Sequence, residues 1–274
     1  MPFWLSISVL GLAQAVLVAL PVPRPLPVWL GWARSPWWAL IPALSIAAVI
    51  GVIELDSDSA TWLSYLALAT VPPLATYALA ELIHGSGPLT SSLVPHSGTK
   101  SEVSGWGLGV PGGVVLFALA WIESGSLVGE ASATALSGLA CITLGWLLVS
   151  VVPAHWVRLG VYAMATIDAI YVSADLLQGP NAVLNVAHPA GGLPRLQAVH
   201  FGSALMGFGD LFVAALVGCL LARSRPRQLE AALLVAGLAL TFDLLFFAVD
   251  ELPATVPVAL ALALTQRRFY REEA

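Results

Sequence analysis

The sequence predicts an all-α membrane protein that crosses the bilayer nine times. Three observations lead to this fold class: the composition, a series of long apolar runs, and the placement of the basic residues between them. The chain has 274 residues, of which 58% are hydrophobic and only 10% are charged, and its mean hydropathy is +0.88. Soluble domains carry about 25% charged residues. We therefore expect a single polytopic membrane domain over residues 1–274 and no separate soluble domain.

Nine apolar runs are long enough to be membrane spans, since a helix needs about 20 residues to cross about 30 Å of hydrocarbon. They are residues 3–22, 37–55, 62–83, 106–122, 134–152, 156–178, 198–222, 229–249 and 252–266. Tryptophans open several runs, which is typical of aromatic anchoring at a membrane interface. We interpret residues 1–155 as a five-span scaffold and residues 156–274 as a four-span part that carries the functional residues.

The basic residues alternate with these nine runs. Ten of them fall on one side: Arg24, Arg34, Lys100, Arg158, Arg223, Arg225, Arg227, Arg267, Arg268 and Arg271. Only Arg195 falls on the other side, where the loops carry acidic residues instead. Loops rich in Lys and Arg face the cytoplasm. The pattern therefore predicts an N-terminus outside the cell and a cytoplasmic C-terminus.

Two aspartates lie near the middle of consecutive apolar runs. Asp168 lies within the sixth run and Asp210 within the seventh. Acids at this depth are costly and mark functional sites by default. Because consecutive spans are antiparallel, the two acids are expected at equal depth. Two adjacent carboxyl groups share one proton, so one acts as an acid and the other as a base toward a bound water.

The second aspartate closes the motif Gly207-Phe208-Gly209-Asp210. Its two glycines place almost no side chain beside the acid. Backbone or an extended substrate can therefore approach Asp210 closely.

Other titratable residues give weaker signals. Asp243 lies inside the eighth run and has no assigned role, and Asp175 is expected at an interface. The histidines lie in loops or at the ends of runs and show no metal-binding spacing, so neither a metal nor another cofactor is expected. Both cysteines, Cys141 and Cys219, fall inside apolar runs, which argues against a disulfide or a cysteine metal site.

The last run is preceded by Pro253 and Pro257. Two prolines four residues apart are not both expected in a helix interior, because each lacks an N–H and clashes one turn back. One interpretation is an extended segment that enters the membrane before the last helix, where protein or a water cavity must surround it. The alternative is an ordinary loop and a short final helix, which these residues alone favour slightly.

These features occur together, and in this order, in one known family. The chain resembles the intramembrane aspartyl proteases comprising presenilin, signal peptide peptidase and their microbial homologues. The resemblance rests on Asp168 followed by Gly179-Pro180, on the GxGD motif that ends at Asp210, and on Pro253-Ala254-Thr255 in place of the family's PAL motif. It covers roughly residues 156–264. Two positions depart from the family pattern, since Ile167 replaces a tyrosine and Thr255 replaces a leucine.

The resemblance implies hydrolysis of peptide bonds inside transmembrane segments. Asp168 and Asp210 would be the catalytic acids, and Gly207, Phe208, Gly209 and Pro253-Ala254-Thr255 would form the motifs around the substrate. Expected partners are transmembrane peptides or membrane-protein substrates and the lipid bilayer of a prokaryotic cell membrane, with an oligomer possible in principle and no nucleic acid. The predicted orientation is that of signal peptide peptidase.

Three alternatives stay open. Buried acids also relay protons in proton-coupled transporters and channels. A catalytically inactive homologue that acts as a membrane scaffold would keep the fold but not the reaction. A prepilin-peptidase-like enzyme also uses a GxGD acid but has a different span arrangement and lacks the motif before the last span, so it ranks lower.

Overall fold

The computed structural model describes residues 2–24, 35–42, 44, 48, 51, 59–85, 103–176, 183, 187, 189–249 and 251–272. This part of the chain is mostly helical, with eight α-helices and one β-hairpin. In chain order they are α1 (Phe3–Ala19), α2 (Ser59–Gly85), α3 (Val103–Ile122), α4 (Leu127–Val151), α5 (Ala154–Ser173), β1 (Ala198–Phe201), β2 (Ala204–Gly207), α6 (Phe208–Leu221), α7 (Arg225–Asp243) and α8 (Thr255–Glu272). Two short 3-10 helices cover Pro36–Leu40 and Leu244–Phe247.

Three of the helical segments are long and apolar enough to cross a membrane: Ala60–His84, Leu127–Val151 and Arg225–Phe247. Shorter apolar helices cover Phe3–Ala19, Gly109–Ile122, Phe208–Leu221 and Thr255–Gln266. The structure therefore supports the membrane-like, helical character that the composition predicts. Most of the predicted spans coincide with a helix to within a few residues. The predicted second span, residues 37–55, lies largely outside the described residues.

Helix α6 lies at the centre of the bundle. It packs against α4 on one side and α1 on the other, and α8 covers it further along. Nearly all of its side chains from Leu211 to Leu221 are buried. A helix that is apolar on every face is expected to be surrounded by other helices, and that is where α6 lies. Its first three residues, Phe208, Gly209 and Asp210, are only partly buried.

Small residues set the closest helix contacts. A Cβ on Gly218 of α6 would come within 2.6 Å of the Val18 carbonyl oxygen at the end of α1. Likewise, a Cβ on Gly109 or Gly113 of α3 would collide with Ala80 or Thr76 of α2. Small residues that let backbones approach closely are the usual packing device of membrane helices.

Polar contacts define two ends of the bundle, which we call the hairpin end and the arginine end. At the hairpin end, Glu130 of α4 accepts a hydrogen bond from Gly202 N at 2.7 Å, and Ser203 N donates to Ser6 Oγ of α1 at 3.3 Å. At the arginine end, Arg24 after α1 forms an ion pair with Glu81 of α2. Helices α1, α2 and α4 therefore run in the same direction, from the hairpin end to the arginine end.

The arginine end is reinforced by a buried glutamine. Gln228 of α7 donates from Nε2 to three carbonyl oxygens, those of Val18 at 2.9 Å, Pro21 at 2.8 Å and Gly218 at 3.3 Å. Arg225 donates to Gln228 Oε1 at 2.9 Å and also to the Ala19 carbonyl. The last carbonyls of a helix have no partner within it. These two side chains therefore donate hydrogen bonds to the carbonyls at the ends of α1 and α6.

One predicted span is wrong as a continuous helix. Residues 198–207 of the run 198–222 form the antiparallel hairpin β1–β2, in which Ala198 is paired with Gly207 and Phe201 with Ala204. The two-residue turn is Gly202-Ser203, and Gly202 has φ of 61°, as required of glycine at the first position of a type II′ turn. The fold is thus not purely α-helical, and the helix that carries Asp210 begins only at Phe208.

The last helix is also longer than predicted. Residues 251–253 are not helical, and α8 runs from Thr255 to Glu272. Pro257 falls in the first turn of this helix, where the missing N–H has no intrahelical partner to lose. The two prolines are therefore compatible with a non-helical lead-in followed directly by a helix.

Candidate functional site

Asp210 is the third residue of α6 and not, as predicted, the middle of a span. Its Oδ2 accepts a hydrogen bond from the Gly207 backbone N–H at 3.1 Å. The carboxyl group thus caps the start of its own helix, where the helix dipole favours negative charge. The side chain is half-buried, between the end of β2 and the central helix.

Asp168 lies in the second half of α5, five residues before the helix ends at Ser173. Its Oδ2 accepts two hydrogen bonds from Thr255, one from the hydroxyl Oγ1 at 2.6 Å and one from the backbone N–H at 3.3 Å. Thr255 is the first residue of α8 and is 4% exposed. Asp168 therefore caps a different helix from its own.

Asp168 and Asp210 lie on neighbouring helices. Helices α5 and α6 are in contact, and each acid lies at the N-terminus of a helix, α8 for Asp168 and α6 for Asp210. Asp168 contacts the start of α8 directly, and Asp210 is linked to it through Gln14, whereas their equal depth in a membrane stays a prediction. The predicted mid-span position does not hold, because the hairpin replaces the first part of the run.

A residue of α1 links the two motifs. Gln14 is 1% exposed, and its Nε2 donates to the Ala254 carbonyl at 3.1 Å and to the Asp210 carbonyl at 3.4 Å. Together with the bonds between Thr255 and Asp168, these contacts form a continuous series from the Asp168 carboxyl group to the main chain of Asp210. The first helix thus fixes the distance between the GxGD segment and the start of α8.

The motif glycines have different surroundings. A Cβ on Gly209 would meet no atom within 4 Å, so the space beside it is open. A Cβ on Gly207 would lie 3.2 Å from Asp210 Oδ2 and would crowd the carboxylate. Phe208 packs partly against the core, and its carbonyl oxygen accepts a weak hydrogen bond from Cys141 Sγ at 3.9 Å.

Two further acids lie away from this group. The Oδ2 of Asp243 accepts a hydrogen bond from Ser8 Oγ at 3.5 Å, at the far end of α7 from Arg225. Asp175 is exposed, with φ of 58°. Its N–H donates to Val172 O, and Leu176 N donates to Tyr171 O, which is the Schellman arrangement at the end of a helix. Asp175 therefore has a structural role at the end of α5.

The structure brings together most of the residues singled out in the sequence: Asp168, Asp210, Gly207, Gly209, Ala254 and Thr255. Sequence reasoning missed Gln14 and Gln228. The available signal was an uncharged amide inside or beside an apolar run, which is unusual in a span but carries no information about its partner. Within the described residues, no three or more His, Cys, Asp or Glu side chains form a group that could hold a metal.

Comparison of the chain with protein-family models, with curated proteins and with solved structures finds no match.

Proposed function

We propose that the protein is an intramembrane aspartyl protease, similar to presenilin and signal peptide peptidase, in which Asp168 and Asp210 activate a water. The observation that carries the proposal is the continuous series of contacts from the Asp168 carboxyl group through Thr255, Ala254 and Gln14 to the main chain of Asp210. It joins three sequence motifs whose only common role in the resembling family is this reaction. A structural role for each acid separately would not require Gln14 to join the two motifs.

The arrangement suits hydrolysis of a peptide bond. The open space at Gly209 lies beside Asp210, so an extended backbone fits there without displacing a side chain. Transmembrane helices hide their carbonyls in internal hydrogen bonds, so a substrate must unwind before attack. The strand β2 and the non-helical residues 251–253 both lead into the site. Extended backbone of this kind binds an unwound strand by main-chain pairing.

The proposed topology has nine spans, an N-terminus outside and a C-terminus in the cytoplasm of a prokaryotic cell membrane. In its favour, the described arginines Arg24, Arg223, Arg225 and Arg227 lie at one end of the bundle, whereas Arg195 lies just before β1, toward the hairpin end. The acids would then open toward the outer leaflet. By the rule of the resembling family, substrates are single-span segments with a cytoplasmic N-terminus.

The test is cleavage of a single-span reporter by the purified protein in lipid vesicles. We expect Asp168→Asn and Asp210→Asn each to reduce the rate by at least about 10²-fold, because an acid or base positioned on the reacting group contributes that much. Asp243→Asn is the matched control, since this acid is also in a helix but outside the contact series, and it should cleave like the wild type.

Retained cleavage in both Asp168→Asn and Asp210→Asn would refute the proposal. If the wild type cleaves no reporter but drives solute uptake that depends on Asp168 and Asp210, the proton-coupled transporter replaces it. If neither activity exists and both variants behave as wild type in cells, the scaffold alternative replaces it.

A further inference from the structure

The two carboxyl groups of the site are bonded unequally. The Oδ2 of Asp168 accepts two donors, the hydroxyl and the N–H of Thr255. The Oδ2 of Asp210 accepts one, the N–H of Gly207. Each acid receives a backbone N–H at a helix N-terminus, so the two helix dipoles act on both acids alike. The difference between them is the Thr255 hydroxyl.

This difference decides where the shared proton resides. A backbone N–H can only donate, and with the hydroxyl also donating at 2.6 Å the two acceptor sites of Asp168 Oδ2 are occupied. Hydrogen bonds donated to a carboxylate favour its ionised form, and O–H···O⁻ bonds near this length are among the stronger ones. Among the described residues, Asp210 accepts from fewer donors than Asp168 does. One proton shared by the pair is therefore better placed on Asp210.

We propose that Thr255 is a positioning residue whose hydroxyl keeps Asp168 ionised as the general base and leaves Asp210 protonated as the general acid. The inference rests on the proposed protease function and deepens it by assigning the two roles. It is specific to this chain, because the resembling family has a leucine at this position, with no hydroxyl to donate.

The assignment gives a balanced reaction. Asp168 takes a proton from the water as its oxygen bonds to the peptide carbonyl carbon, and Asp210 gives its proton to the carbonyl oxygen. A gem-diol results, and Asp168 now carries the proton. Cleavage of the C–N bond follows when Asp168 protonates the leaving nitrogen and Asp210 takes a proton from a gem-diol hydroxyl. The dyad returns to its starting state, with one peptide bond and one water consumed.

The kinetic test uses Thr255→Val, which keeps the shape but removes the hydroxyl, and Thr255→Ser, which keeps the hydroxyl. We expect Thr255→Val to lower kcat/KM by about tenfold and to move the acid limb of the pH profile up by about one pH unit. The sign follows because the base must be ionised, and loss of a donor makes it ionise at higher pH. Thr255→Ser should restore both values.

A Thr255→Val profile that superimposes on the wild type would overturn the inference. So would a Thr255→Ser variant as impaired as Thr255→Val, since a methyl contact and not the hydroxyl would then be responsible. Thermal unfolding of each variant identifies any that fails to fold. If Thr255→Val fails to fold, Thr255→Ser still tests the inference.

A second readout does not depend on proteolysis. Infrared spectra of protein labelled with ¹³C in its aspartate carboxyl groups report protonated carboxyls directly. We expect a protonated band that disappears in Asp210→Asn and that persists at lower pH in Asp168→Asn, because the remaining acid then has no charged neighbour. The reverse pattern would overturn the role assignment even if cleavage is found. The expected pattern would uphold it even if the substrate proves to be something other than a peptide.

Discussion

Gln14 and Gln228 are buried to almost the same degree, 1% and 0% exposed, and both donate a side-chain amide to carbonyls of other segments. The partners differ. Gln228 binds the ends of α1 and α6 at the arginine end, where helix carbonyls would otherwise be unpaired. Gln14 binds the main chain of Asp210 and Ala254, which belong to the two motifs around the site. The same group thus serves stability in one place and site geometry in the other.

The largest expected effect is that of Gln228→Leu. Leucine fills a similar volume but leaves three buried carbonyls without their donor, and each unsatisfied group costs about 1–3 kcal/mol. We expect a loss of about 3 kcal/mol in the free energy of unfolding, allowing for partial relaxation. Denaturant titration in detergent micelles measures it. Cleavage per folded molecule should stay near the wild-type value, and a large fall in cleavage by the folded fraction would contradict the contrast with Gln14.

The next effect tests the close approach on which the Gln228 contacts depend. In Gly218→Ala the new Cβ meets the Val18 and Leu17 carbonyl oxygens at less than 3.0 Å. We expect about 2 kcal/mol of destabilisation, typical of overpacking. Gly237→Ala in α7 is the matched control, because its Cβ meets no atom within 4 Å, and it should be neutral or stabilising. Equal unfolding midpoints for the two variants would show that α6 and α1 are not held this closely.

Gln14→Leu is expected to have the smallest effect on stability but a specific effect on cleavage. Two carbonyls lose a donor, one of them at a long 3.4 Å, so we expect a loss of about 1 kcal/mol. Cleavage should fall by about tenfold or more, because small displacements of positioned groups reduce rates strongly. Reporter cleavage and denaturant titration on the same preparation separate the two effects. If Gln14→Leu were as unstable as Gln228→Leu and cleaved normally, the proposed difference between the two glutamines would be wrong.

Hydropathy located most of the helices because an apolar run of the right length has few alternatives in a membrane. It failed at residues 198–222, where a buried strand and a buried helix have the same apolar composition. The turn signal was present in Gly202-Ser203, which is a recognised hairpin pair, but the length of the run outweighed it. The position of Asp210 within its span was wrong for the same reason.

The candidate site, too, could be predicted from the sequence only in part. Acids in apolar runs are rare enough for the sequence to single out Asp168 and Asp210, and the structure links both residues to the start of α8. Their orientation depends on tertiary contacts that no local pattern encodes. The bonds from Thr255 to Asp168 and from Gln14 to Ala254 join residues far apart in the chain, and a glutamine within a span gives no indication of its acceptor.

The contacts of Gln14 also relate the site to the order of synthesis. They join residues that are 196 and 240 positions apart. At about 5–20 residues per second, synthesis needs on the order of 10 to 50 seconds to proceed from the first helix to Ala254. Until Thr255 is synthesised, Asp168 also lacks the two hydrogen bonds that Thr255 donates to it. If the protein is a protease, the growing chain therefore inserts into the membrane beside other nascent helices before it is able to cut any of them.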